Sequence, residues 1–442
     1  MTHRFGPIAL ATSAAVLLWA QAAPVSAMDV PAAKAAVDRV LNADYPRLDA
    51  LYKDIHSHPE LGHQEVRTAA VLAKEMRAAG LEVTEHVGGT GLVAILRNGP
   101  GPTVMVRTEL DALPMEEKTG LPYASTVKAM SGGKESFVAH ACGHDIHMAV
   151  WVGTARALAA NRDRWHGTVM FIGQPAEETF GGASGMIKDG LFTRFPKPNV
   201  GFALHSSSGA YNRVYWKPGV ESSNADSFEI TFHGKGGHGA TPQVTIDPIL
   251  MASRFVVDVQ SVVSREKDPL QAGVITVGAI QGGTVGNIIP DTAVVRGTIR
   301  SFDRQTRITL LRGMERTARA GAEMSAAPQP DVSILSGAEA VVNSDAVTQS
   351  TVPVFKAAFG DNAVELTRPT TTSEDYSDYI EAGVPSLFFN IGVYDPARVD
   401  AAAAGGPALP SNHSPFYAPV PEPTIRTGVE AMSLAVMNAM TP

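Results

Sequence analysis

The chain has one cysteine in 442 residues, Cys142. A single thiol closes no intramolecular bridge, so a disulfide framework is excluded. Basic runs are missing too. Lys and Arg number 36 against 44 Asp and Glu, a formal net charge of −8. That balance argues against nucleic acid as the main partner and gives no sign of attraction to an anionic membrane. Beyond residue 27, no apolar run reaches the roughly 18 residues a membrane-spanning helix needs. The stretch "GGASGM" (181–186) is not the G-x-S-x-G elbow of serine hydrolases and reads as a glycine-rich turn. The "GKGG" at 234–237 lacks the spacing of a phosphate-binding loop. No internal repeat is found.

What is present is an ordinary globular composition, 44% hydrophobic and 18% charged, on a length sufficient for more than one domain. The N-terminus carries Arg4, the apolar stretch "PIALATSAAVLLWA" and then the small residues Val25-Ser26-Ala27. Residues 1–27 are therefore expected to be a cleaved secretory signal, leaving a periplasmic or secreted protein with no membrane segment. Export sharpens the question of the thiol. In an oxidising compartment a lone cysteine is buried, held by a ligand, or open to oxidation and crosslinking.

Residues 31–55 place apolar side chains at helical spacing, with a kink expected at Pro46. "EVRTAAVLAKEMRAAG" (65–80) predicts a helix closed by Gly80. The strand-like runs "LVAILRN", "TVMVRTEL", "GTVMFIGQ" and "VGFALHSS" alternate with helical stretches such as "HMAVWVGTARALAANR". That alternation implies an α/β fold with a mixed, mostly parallel sheet flanked by helices. Near residue 218 the texture becomes α+β: "SFEITFHGKG", "LQAGVITVGAIQGG" and "AVVRGTIRSF" are strand-like, with two helical segments among them. After about residue 335 the first texture returns and ends in a C-terminal helix. The expected organisation is a main domain over 28–217 and 334–442 with an insert at 218–333. The Pro/Gly/Ala-rich "DPARVDAAAAGGPALPSN" (395–412) is expected to be a flexible loop near a functional surface.

Thiolate, imidazole and carboxylate are the ligands of transition metals. The candidates sit at strand ends or in the loops that follow: Cys142 and His144 in "HACGHDIHMA", Glu177 and Glu178 in "GQPAEE", His205 at the end of "VGFALH", and His413 in "SNHSPF". Each alone is weak, and their joint placement after separate strands of one sheet is what carries weight. Of two adjacent glutamates, one can bind a metal while the other takes a proton from metal-activated water. A thiolate can bridge two metals, which would lower its pKa and protect it from oxidation. The rival is a Cys142 nucleophile with His144 as base, but it leaves the glutamate pair, His205 and His413 unexplained.

With "HSHPELGHQE", "RTELDALPM", "GKGGHGATP", "GNIIPD", "GTIRSFD", "TSEDYS" and "NHSPFY" added, the ordered set spans about residues 50–417. It resembles the dinuclear metallo-amidohydrolases and carboxypeptidases that include hippurate hydrolase, N-acyl-amino-acid amidohydrolases and auxin-conjugate hydrolases. The resemblance implies a zinc-peptidase-like catalytic domain with an inserted lid and dimerisation domain, a four-stranded sheet with two helices. It implies two divalent ions per subunit, zinc or manganese with cobalt as a further candidate. Their ligands would be Cys142, His144, Glu178, His205 and His413, with Cys142 as the bridge. Glu177 would be general base and acid, and His238 would help polarise the scissile carbonyl. Asn287 and Arg300 would bind substrate, Arg300 through its carboxylate. The implied activity is hydrolysis of N-acyl-amino acids or short peptides with a free C-terminal carboxylate, by a homodimer or higher homo-oligomer. An aminopeptidase or deacetylase on a related scaffold, or a binding protein without turnover, are the alternatives.

The sequence departs from the family in three places. Glu109 stands where "RADMDALP" has its first Asp, "SSSGAYN" replaces an aromatic-and-proline run after His205, and the loop at 394–410 is unusual and expected to shape the same pocket. Asp111 keeps its place and is expected, with Asp145, to orient ligand side chains from behind. His56 and His58 are expected to pack or hydrogen-bond near the site, and His140 and His147 to support the ligands from behind or to be structural. Asp375 is expected to orient a ligand or to cap a helix.

Overall fold

The computed structural model describes residues 1–3 and 28–441; residues 4–27, on which the expected export signal rests, lie outside them. Helix α1 (Val30–Ser57) starts where the Asp29 side chain accepts a hydrogen bond from the Ala32 N–H, and it runs through Pro46. Helix α2 (Val66–Ala78) ends in a turn completed by Gly80, whose φ of 84° favours glycine. The main body then supplies strands β1 (Glu82–Glu85), β2 (Leu92–Asn98) and β3 (Thr103–Glu109), helix α3 (His144–Ala160), and strands β4 (Gly167–Gln174), β5 (Val200–Ala210) and β6 (Val214–Trp216). The insert comprises β7 (Asp226–His233), α4 (Pro248–Asp258), β8 (Gly273–Gly282), β9 (Thr292–Ser301), α5 (Arg304–Met324) and β10 (Asp331–Ser336). The main body resumes with α6 (Asp345–Phe359), β11 (Ala363–Glu365), β12 (Ser386–Tyr394) and α7 (Pro421–Ala439).

The main sheet has eight strands in the order β1-β2-β4-β3-β5-β12-β6-β11. The pairings β4–β3, β3–β5, β5–β12 and β6–β11 are parallel, and the rest are antiparallel. Side chains alternate along each central strand. Val104, Val106, Val169, Phe171, Phe202, Leu204, Leu387 and Phe389 join the core under α1, α3 and α7. Met105, Met170, Ile172, Ala203 and Phe388 join a second core on the opposite face, with Met186, Tyr376 and Tyr379. Both faces are thus covered, as the continuous apolar runs require.

The insert has its own core. Its antiparallel sheet, in the order β8-β9-β7-β10, packs Phe228, Ile230, Val295 and Ile299 against Met251 and Phe255 of α4 and Leu310 and Met314 of α5. The fourth strand, β10, straddles residue 333, the expected junction.

The departing stretch "SSSGAYN" and part of the loop expected at 395–412 are regular structure. "SSSGAYN" continues β5 as far as Ala210, because the parallel ladder with β12 runs on to Tyr394 and the Ser207 hydroxyl donates to the Ile391 carbonyl. Only Tyr211 and Asn212 turn, Asn212 with φ 63°. Within 395–412, Pro396–Ala403 form a helix: Pro396 opens it, and the Asp395 side chain accepts from the Ala397 N–H at 2.8 Å. The alanines then do what their propensity dictates.

Candidate metal centre

The C-terminal ends of β4, β3, β5 and β12 lie side by side, the usual place for a site in such a sheet. Cys142 and His144 come from the turn into α3. Gly143 sits at φ 90°, and a Cβ there would fall 2.4 Å from Ser206 Oγ. Glycine therefore lets this turn press against β5 and makes His144 the first residue of α3. The Cys142 carbonyl accepts from Ser206 Oγ at 3.1 Å and Asn412 Nδ2 at 2.8 Å, while the His413 N–H donates to the Ala141 carbonyl at 2.8 Å. These bonds staple the cysteine turn, β5 and the loop of His413 together. Glu177 and Glu178 lie in one tight turn after β4, between Ala176 and Phe180, both in left-handed backbone at φ 52° and 53°. His413 shares that conformation at φ 65°. Such strain persists where the surroundings hold it, here by Ala176 N–H to Glu65 Oε1 at 2.8 Å and Glu178 N–H to Asp111 Oδ2 at 3.0 Å.

These elements bring Cys142, His144, Glu177, Glu178, His205 and His413 together. Cys142 Sγ is 3.3 Å from His205 Nε2, and His413 Nε2 is 3.3 Å from Glu178 Oε1. His144 Nε2 lies 3.8 Å from Glu177 Oε2 and 4.0 Å from Glu178 Oε1. The donor atoms of Cys142, Glu178 and His413 lie within 4.8 Å of one another, as do those of His144, Glu177 and Glu178. Glu178 thus belongs to both groups. The imidazole tautomers follow from their carbonyl partners. His144 Nδ1 donates to the Asp111 carbonyl and His205 Nδ1 to the Ser206 carbonyl, each at 2.8 Å, so Nε2 is the nitrogen each ring turns toward the cluster. His144 Nε2 and Glu178 Oε1 are buried without a hydrogen-bond partner among the described residues. A thiol, three imidazoles and a carboxylate with orphaned donor atoms fit two divalent ions.

The electrostatics agree. Burial, then Glu374, Glu178, Asp375 and Asp111, push the Glu177 carboxyl well above its usual range. Although burial opposes it, the Asp111 hydrogen bond and the Glu109, Asp111 and Glu178 charges raise His144 to about 10. The cluster holds surplus negative charge, which divalent cations would neutralise. Burial, then Glu178, Glu177 and Glu109, push the Cys142 thiol up. A nucleophilic cysteine needs cationic surroundings, and the carboxylates of Glu178, Glu177 and Glu109 act against a thiolate here.

Of the outer residues, Asp111 lies beside His144, its carbonyl 2.8 Å and its Oδ1 3.5 Å from Nδ1. Asp145 is turned elsewhere: its Oδ2 meets His56 Nδ1 at 2.6 Å, and among the described residues it makes no hydrogen bond to His144, His205 or His413. The α3 backbone turns Asp145 away from His144, toward α1. Both nitrogens of His147 have protein partners, Nε2 accepting from the Ser206 N–H at 2.8 Å and Nδ1 donating to Glu109 Oε2 at 3.0 Å, and it stands within 4.8 Å of donor atoms of Glu109, His144 and His205. Glu109 thereby gains a defined partner for its extra methylene. His140 is buried with no hydrogen-bond partner among the described residues, and burial lowers it to about 4. His58 is exposed, bonded to the Asp54 carbonyl. Asp375 caps a helix, but not its own: its Oδ2 accepts from the Ala183 N–H at the start of Gly182–Lys188.

His56 also meets Glu117 Oε1 through Nε2 at 3.1 Å. Burial disfavours the imidazolium, yet the two carboxylates outweigh it and raise His56 from 6.5 to about 10. The folded chain therefore binds this proton more tightly than the unfolded one. Its stabilisation is complete below the unfolded pKa and is lost as pH rises through the folded one. Between about pH 7 and 10, the melting temperature should fall more steeply in the native protein than in His56→Gln. Parallel melting curves would show that His56 is neutral.

A cavity of about 570 Å³ opens onto the cluster, lined in part by Glu177, Glu374, Arg300, Ser207, Phe388 and Asn390. Arg300 donates to Ser373 Oγ at its wall. His238 and Asn287 are not brought there. They sit together on the exposed insert, where Gly237–His238 pairs with Ile288–Ile289 and the Gly239 N–H donates to the Asn287 carbonyl. The sequence reading missed Arg107. Its buried guanidinium pairs with Glu109, with Glu374 at 2.6 Å and with Asp375 at 3.3 Å, behind Glu177. Only its place in the "RTEL" stretch hinted at it.

Residues 105–437 match the profile of peptidase family M20/M25/M40. The hippurate hydrolase of Campylobacter jejuni is 36% identical over 334 residues, covering 74% of this chain and 83% of that protein. The N-acetyl-L-cysteine deacetylase of Bacillus subtilis is 35% identical over 353 residues, covering 78% and 80%. A Bacillus subtilis protein whose crystal structure is described as a dinuclear metal binding peptidase of the M20 family superposes with a TM-score of 0.73 at 27% identity, over 91% of this chain and 100% of that one. The chain belongs to peptidase family M20/M25/M40 and is a hydrolase of amide bonds.

Proposed function

We propose that this hydrolase cleaves N-acyl-amino acids or short peptides ending in a free carboxylate, at two divalent ions that Cys142, His144, Glu178, His205 and His413 would hold. One observation carries the reading: orphaned ligand atoms, His144 Nε2 and Glu178 Oε1, are buried beside a separate carboxylate, Glu177. Relatives named hippurate hydrolase and N-acetyl-L-cysteine deacetylase support the substrate class. Zinc and manganese suit the donor set, and cobalt does as well. When bound, such ions supply Lewis acidity that polarises a carbonyl and acidifies water. Glu177 takes the proton of the attacking water and returns it to the leaving amine. Its neighbours Glu374 and Asp375 favour the protonated form, which suits the return step. Asp111 and Ser206 fix the tautomers of His144 and His205 through their carbonyls. Arg300 meets the substrate carboxylate.

His238 and Asn287 are assigned to the cavity of a partner subunit in a homodimer. His238 Nδ1 accepts from the Ala240 N–H at 3.0 Å, which leaves an exposed Nε2–H to donate to a scissile carbonyl. The edge strand β8 exposes Val274 and Ile280, an apolar edge that pairing with a second subunit would cover. Sedimentation of a monomer at assay concentration would end this assignment. Export is proposed from the sequence, and a mature N-terminus at Met28 on periplasmic or secreted protein is its test.

The reading is tested on the metal-loaded protein with N-acetyl- and N-benzoyl-amino acids and with peptides bearing a free amine. We expect chelator-sensitive hydrolysis, about two ions per chain, and slow alkylation of Cys142 that quickens on chelation. Activity that resists chelators in metal-free protein would overturn it.

A further inference from the structure

The substrate cavity contains one carboxyl group with no counter-charge. Glu177 and Glu178 belong to the metal cluster, and Glu374 pairs with Arg107. Glu221 also lines the cavity, is 1% exposed, and makes no ion pair among the described residues. Its Oε1 accepts from Asn390 Nδ2 at 2.6 Å, and its Oε2 has no hydrogen-bond partner among the described residues. Lys217 influences it only at a distance and donates instead to the Pro218 carbonyl. An unsatisfied buried carboxyl is costly, and a protein that keeps one beside a cavity gives a ligand something to satisfy.

Its placement relative to Arg300 adds a direction. The segment Thr370–Ser373 forms the wall between them. At one end, the Glu221 carbonyl accepts from the Thr370 N–H at 2.7 Å and the Thr370 hydroxyl at 3.1 Å. At the other end, Arg300 donates to Ser373 Oγ. A single wall therefore presents a guanidinium and a carboxyl at separate positions, with serines and threonines between. An N-acyl-amino acid with an uncharged acyl group uses only the first.

We propose that Glu221, held by Asn390, receives an ammonium group on the acyl portion of the substrate, so that the preferred substrates are aminoacyl-amino acids. This rests on the reading of Arg300 as the carboxylate partner. The charge-assisted hydrogen bond to a desolvated carboxylate should favour such substrates roughly 10- to 100-fold.

The experiment compares kcat/KM for glycyl-leucine and β-alanyl-leucine with that for N-acetyl-leucine, on metal-loaded native protein and on Glu221→Gln. Glutamine keeps the shape and the acceptor for Asn390, and a melting curve confirms the fold. If Glu221→Gln fails to fold, Glu221→Met takes its place. The ratio of aminoacyl to acetyl substrate should favour the aminoacyl compounds in the native protein and fall about tenfold or more in the variant. A native ratio at or below one, or a ratio the substitution leaves unchanged, overturns the proposal. Hydrolysis of N-acetyl-leucine by the native protein, whatever that ratio, keeps the amidohydrolase reading intact. Failure on all three substrates would count against both.

Discussion

Glu177→Gln should retain the fold and the bound metal while losing roughly 10²- to 10⁴-fold in kcat. Glutamine matches glutamate in shape, so the tight turn between Ala176 and Phe180 and its hold on Glu65 and Asp111 persist. What it removes is the ability to take and return a proton. The substitution also removes an ionisable group from a crowded cluster, since burial and then Glu374, Glu178, Asp375 and Asp111 all oppose ionisation of the Glu177 carboxyl. Melting temperature should therefore hold or rise, which separates loss of chemistry from loss of structure. Metal content measured beside kcat completes the test. Native turnover in the variant would remove Glu177 from the mechanism. Depleted metal would make it a ligand instead.

That Cys142, His144, Glu177, Glu178, His205 and His413 would gather in one cluster was legible from their joint placement after strands of one sheet, while the role of each came from the resemblance. One cysteine, two glutamates after a strand and histidines at strand ends have few innocent explanations in combination. The sheet was legible for the same local reason, as apolar runs long enough to be buried on both faces. The partner of Arg107 was not. Glu374 lies 267 residues away in sequence, and no local pattern pairs a basic residue in a strand with an acid that distant. Asp145 failed for a related reason. Its neighbour in sequence is His144, but its hydrogen bond goes to His56, 89 residues earlier, because the helix turns it the other way. The "SSSGAYN" stretch is rich in serine and glycine, which favour loops, yet the ladder with β12 keeps it in the strand as far as Ala210. His238 and Asn287 carry motifs yet sit on the exposed insert, outside the lining of this chain's cavity.

Arg107→Met should cost about 3–5 kcal/mol of stability. The guanidinium is buried and donates through Nε to Gln174 Oε1 at 2.9 Å and through its other nitrogens to Glu109, Glu374 and Asp375. Methionine fills similar volume but leaves these carboxylates in a dry interior with no cation. They must then take up protons or draw in water, and either reaches Glu177, which Glu374 and Asp375 already crowd. Arg107→Lys should be intermediate, since an ammonium supplies the charge but cannot fork to several acceptors at once. Denaturant unfolding of the metal-loaded variants measures the order. The double variant Arg107→Met, Glu374→Gln gives the sharper test. If uncompensated charge is the cause, removing one of the stranded carboxylates should recover part of the loss, so that the two substitutions are far from additive. A single variant within about 1 kcal/mol of native, or a double variant worse than either single, would show that the guanidinium acts through packing and that the stranded carboxylates are harmless.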